Sequence, residues 1–275
     1  MFRKLLKHEL RATGRIMLPV YALMVISTAL TNLFIFLAKR YDSKVLNIFN
    51  GIFISIFIIA LIAAAVMTLV MMIFRFYKNY MTDEGYLMFT LPVTTPQLIW
   101  SKLLVAIVWT LATGVISFLV AWLTLYLGTI NTEFWKTLVS SLDLFPYLFS
   151  SVPKSQWVTE VILGVAFAAL SVISSFLMFY AAIAVGHSFS NHKVLLSVVL
   201  YIVFSVGRQI LTFFANIYSA ATWINTESLN SVDPGVFAMN TTRTYTIGNL
   251  ILSLAAAVLF YLLTRYFLKK KLNLQ

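Results

Sequence analysis

Apolar residues in this chain neither alternate with polar ones nor keep to one helical face; they run on. Six stretches, residues 16–38, 48–74, 98–127, 158–186, 194–218 and 247–268, carry almost no charge. Each is long enough to cross a hydrocarbon core of about 30 Å at about 1.5 Å per residue. The longer ones must tilt or project beyond the lipid. A transmembrane barrel would show short alternating segments instead. The pattern predicts an all-α integral membrane protein with six spans forming one membrane domain, residues 16–275. Residues 1–15 follow a different rule. Phe2, Leu5, Leu6 and Leu10 fall on one helical face, and Arg3, Lys4, Lys7 and Arg11 lie mostly on the other. That reads as an amphipathic helix lying in the interface; the plainer reading is a basic flank that happens to be helical.

Composition makes the bilayer necessary. The 275 residues are 61% hydrophobic and 11% charged, whereas a soluble domain is about half apolar and about a quarter charged. A soluble chain this apolar could not cover its core with polar surface. Cysteine is absent, which excludes disulfides, thiolate catalysis and Cys-ligated metals. The net charge is +11, and the cations flank apolar spans. An anionic lipid leaflet therefore suits them better than nucleic acid. Nothing resembles a cleavable signal peptide.

Lys and Arg also set the orientation. One side collects Arg3, Lys4, Lys7, Arg11, Arg15, Arg75, Lys78, Lys102, Lys193, Arg265, Lys269, Lys270 and Lys271. The other holds only Lys39, Arg40, Lys44, Lys136, Lys154 and Arg243. Both termini are therefore expected in the cytoplasm. The two long outer connections, 128–157 and 219–246, carry aromatic residues with Pro146, Pro153 and Asp233-Pro234-Gly235. They read as interfacial helices or re-entrant pieces.

The most informative connection is 75–102, on the cytoplasmic side. Asp83 and Glu84 precede Gly85, then the apolar run Tyr86-Leu87-Met88-Phe89, then Leu91-Pro92 and Thr95-Pro96. The prolines break the chain between helices, and Thr95 suits a helix cap. The segment is either a loop dipping into the headgroups or a short helix offered to a soluble partner.

The blocks Phe76-Tyr77-Lys78-Asn79-Tyr80, Asp83-Glu84-Gly85-Tyr86-Leu87-Met88-Phe89-Thr90-Leu91-Pro92 and Gln97-Leu98-Ile99-Trp100-Ser101-Lys102-Leu103-Leu104 resemble bacterial permease subunits of the ATP-binding-cassette (ABC) superfamily, type-2 exporters of Gram-positive type. The segment Ala181–Lys193, with Gly186-His187-Ser188-Phe189-Ser190-Asn191-His192-Lys193, resembles the connection between spans four and five of the same proteins. The resemblance implies a multi-pass permease in a bacterial cell membrane. It would pair with a second permease, identical or different, and with a cytoplasmic ATP-binding subunit. Asp83, Glu84, Gly85, Tyr86, Leu87, Phe89, Leu91 and Pro92 would form the coupling segment docked on that ATPase. ATP and magnesium would sit on the partner, with no cofactor on this chain. Consistent with this, the sequence has no GxxxxGK[ST] phosphate loop.

Inside the spans, Arg208 with Gln209 stands out. An intramembrane ionisable residue is costly and points to function: a substrate path, or a pairing between spans. The bland reading is an arginine that snorkels to the outer interface. Glu160 is the acidic residue nearest a span interior. His8, His187 and His192 show no ligand grouping, so solvated or headgroup positions are expected and no metal site. No Ser–His–Asp arrangement suggests catalysis. The expected function is export of a drug, peptide or lipid-like substrate by a subunit that is not itself an enzyme. A non-transporting sensor or scaffold, or a membrane-embedded lipid-modifying enzyme, are the alternatives.

Overall fold

The computed structural model describes residues 2–41, 43–82, 85, 93–126, 154–189, 192–224 and 234–270. Within them the chain is helical: α1 (Phe2–Tyr41), α2 (Lys44–Met81), α3 (Thr95–Tyr126), α4 (Lys154–Gly186), α5 (Lys193–Ile224) and α6 (Pro234–Lys270). All six contain a segment long and apolar enough to cross a membrane. The expected all-helical architecture, with six helices that could span a membrane, is therefore present.

The helices outrun the apolar stretches. α1 continues from the basic N-terminal residues through Pro19 without a break. Along residues 2–11, Arg3, Lys4, Lys7 and Arg11 are exposed while Phe2, Leu5, Leu6 and Leu10 are half-buried. α5 extends to Ile224 and α6 starts at Pro234, so most of the expected 219–246 connection is helix rather than re-entrant chain. Proline suits a first helical turn because its φ is already fixed and no N–H is required there. Segment 127–153, the other long connection expected from the sequence, lies outside the described residues.

The chain forms two compact units. Unit 1 comprises Met1–Phe76 and Pro92–Leu138; unit 2 comprises Tyr77–Leu91 and Val139–Gln275. In unit 1, Met24 of α1, Phe57 and Ala64 of α2 and Val120 of α3 make a small apolar core. Hydroxyls add the directional contacts. Tyr21 Oη and Thr68 Oγ1 each lie 2.8 Å from Thr113 Oγ1. Trp109 Nε1 donates to Thr13 Oγ1 at 2.7 Å, and Thr31 Oγ1 donates to the Phe53 carbonyl at 3.0 Å. In lipid, apolar faces gain little by meeting each other, so close packing and interhelical hydrogen bonds do the holding.

Unit 2 packs α4, α5 and α6 against one another. Phe179 of α4 stacks on Tyr201 of α5 at 4.2 Å between centroids. Phe204 of α5 meets Phe260 of α6 at 5.3 Å. Ala181, Ala182 and Ala184 on α4 and Ala257 on α6 are buried, as close helix approach requires. Asn249 of α6 donates to Asn216 of α5 at 3.0 Å. The outward faces are apolar: Val165, Ile202, Phe213 and Ile251 are all at least half exposed.

Candidate functional site

The predicted coupling residues Asp83, Glu84, Tyr86, Leu87, Phe89, Leu91 and Pro92 lie outside the described residues; Gly85 alone is described. Its N–H donates to the Thr82 carbonyl at 2.7 Å. A Cβ at Gly85 would come within 2.7 Å of the Tyr80 carbonyl oxygen, so only glycine lets the chain turn this tightly against the end of α2.

The same end of unit 2 holds the turn between α4 and α5, residues 187–192. A cavity of about 560 Å³ opens here, lined by Tyr77 and Met81 from α2 and by His187, His192, Lys193 and Leu195 among others. The end of α2 and the α4–α5 turn thus meet at one cavity. His187 is only 4% exposed, contrary to the solvated position expected of it. Its Nδ1 lies 2.9 Å from the Ile183 carbonyl and 3.2 Å from Ser197 Oγ, while Ser197 sends its proton to the Lys193 carbonyl at 2.9 Å. A neutral ring protonated at Nδ1 satisfies this arrangement. Tyr77 packs edge-on against the ring at 5.3 Å. Burial holds the His187 pKa below its ordinary value; the Ile183 carbonyl opposes that shift and Lys193 adds to it. His192 adopts a left-handed φ of 54°, and its carbonyl receives the Leu196 N–H at 2.9 Å. The turn is therefore sharply bent where it enters α5.

Arg208 sits at the middle of α5. It is half-buried, in a stripe with Phe204, Ser205 and Thr212, while Val206, Gln209 and Ile210 are exposed. Gln209 therefore does not share its environment. From Nη1 the guanidinium donates to Ser174 Oγ at 3.4 Å and Ser175 Oγ at 3.3 Å, both on α4. Arg208 thus reaches a neighbouring helix. Glu160, the acid flagged in the sequence, faces Arg243 of α6 at 3.9 Å instead.

Unit 1 contains a charged cluster that the sequence reading missed. Glu9 of α1 is buried, with Lys102 Nζ of α3 at 2.5 Å from one carboxylate oxygen and Arg75 Nη2 of α2 at 3.2 Å from the other. Thr13 Oγ1 donates to the Glu9 carbonyl at 2.8 Å. One acid joins three helices at the level where α2 and α3 approach the 83–92 connection. The desolvation cost of such a group is large, and removing one partner typically costs about 3–5 kcal/mol. The signal was present: Glu9 interrupts the Leu5–Leu6–Leu10 face of an otherwise basic segment.

Among the described residues no group of three His, Asp or Glu side chains could hold a metal ion. The chain matches no protein-family profile, no curated protein and no solved structure.

Proposed function

We propose that this chain is the membrane-spanning subunit of an ATP-driven exporter in a bacterial cell membrane, working with a separate cytoplasmic ATP-binding subunit and a second permease. One observation supports this reading above others. The end of α2, which leads into the Asp83–Leu91 segment, and the α4–α5 turn share a single cavity walled by Tyr77, His187 and Lys193. A helix end and a turn converging on one recess suit a docked soluble partner better than two separate surfaces do. Both termini then face the cytoplasm. Asp83 and Glu84 meet basic groups at the rim of the partner's groove, where charge sets orientation more than affinity. Tyr86, Leu87 and Phe89 fill the groove itself, since a few buried aromatics carry most interfaces.

The test is a double substitution, Tyr86→Ala with Phe89→Ala. It should cost about 2–4 kcal/mol of docking energy while insertion continues, because no spanning residue changes. The ATPase should co-purify poorly, and substrate should no longer stimulate ATP hydrolysis. Unchanged recovery of the ATPase with the double variant would sink the docking assignment.

A further inference from the structure

We propose that Arg208, backed by Ser174 and Ser175, binds the acidic headgroup of an anionic amphiphile, a phosphate or carboxylate carried on an apolar body. That this ligand is cargo rests on the exporter reading; that it binds does not.

Little of the guanidinium is used. Both of its hydrogen bonds leave from Nη1, at 3.3 and 3.4 Å, and both end on neutral hydroxyls. Those hydroxyls already donate their own protons to the Ser171 carbonyl, Ser174 at 3.1 Å and Ser175 at 2.7 Å. They therefore offer lone pairs but no charge. Nε and Nη2, which form the fork that grips a carboxylate or phosphate bidentately, donate to nothing among the described residues.

No acid among the described residues fills the gap. Glu160 is the acid of the described part of unit 2, and it faces Arg243. Its position also lies about 21 Å along α4 from Ser174, at about 1.5 Å per residue. The other acid within a described helix, Glu9, is engaged by Arg75 and Lys102. A cation at this depth is costly without an anion beside it.

The surroundings indicate what kind of anion. Ile202, Val206, Ile210 and Leu211 around Arg208 on α5 are roughly half exposed. They offer apolar surface to a ligand body. A small hydrated anion would have to shed its water to reach a mid-span guanidinium, whereas an amphiphile keeps its apolar part in a medium it favours.

The experiment uses the full chain, purified in a neutral maltoside detergent without any ATPase. Native mass spectrometry would follow retention of dodecyl phosphate, dodecyltrimethylammonium or inorganic phosphate. The wild type should hold dodecyl phosphate at least about tenfold more tightly than the cationic amphiphile of the same chain length, a tenfold ratio being the scale of one charge-assisted contact. Arg208→Gln should lose that preference and Arg208→Lys should keep most of it. Preference retained by Arg208→Gln would overturn the assignment. So would a wild type that shows no preference, a comparison that needs no variant to fold. Inorganic phosphate bound as tightly as dodecyl phosphate would overturn the amphiphile. Because no ATPase is present, failure here leaves the docking result intact, and failure of docking leaves this one intact.

Discussion

At the scale of single residues, His187 carries a consequence for pH. Its folded-state pKa lies below the ordinary 6.5 because burial disfavours the charged ring. The unfolded chain therefore takes up a proton at higher pH than the folded one does. Neutral His187 contributes its full stabilisation above about pH 6.5, and that contribution is lost as pH falls toward the lowered folded value. The thermal midpoint of the purified chain should drop on acidification through this window, and His187→Gln should flatten the dependence. An equal drop in the variant would assign the effect to other groups. The burial of His187 was not legible in the sequence. Three scattered histidines look alike until a fold brings Ser197 and Tyr77 to one of them. Arg208 was legible, because a cation in an apolar run is conspicuous. Its hydroxyl partners were not. A serine in a span reads the same whether it bonds only its own helix, as Ser171 does, or also faces a neighbour, as Ser175 does.

At the scale of elements, the turn from α4 into α5 depends on how closely the two helices approach. A Cβ on Gly186 would lie 2.6 Å from the Ser197 backbone nitrogen, whereas nothing lies within 4 Å of one on Gly207. Gly186→Ala must push backbone against backbone and should lower the stability of unit 2 by about 1–3 kcal/mol, the usual cost of overpacking. Gly207→Ala should be neutral or stabilise by up to about 1 kcal/mol, the helix preference of alanine over glycine. Thermal unfolding of the two variants side by side checks this. Equal midpoints would mean that the turn yields more easily than its packing implies. The existence of the six helices was plain in the sequence, since long apolar runs have few other solutions in lipid. Their ends were not. α5 and α6 continue into segments whose polar and aromatic residues read as connection, because apolar content marks where lipid is, and a helix need not stop where lipid does.

For the whole molecule, orientation is the property most open to a direct check. Reporter fusions after Tyr80, His187 and Gln275 should report cytoplasm, and fusions after Ser43, Ser151 and Asp233 should report the outside. An inverted pair would break the six-span topology. The Glu9 cluster adds a consequence for biosynthesis. Ribosomes deliver the acid first, Arg75 after a second helix, and Lys102 only once a third has begun. Until then the nascent chain carries a carboxylate destined for burial without the cation that sits closest to it. A chain truncated before α3 keeps that mark of incompleteness. Unit 1 therefore carries, at its ninth residue, a chemical test of whether its last helix has arrived.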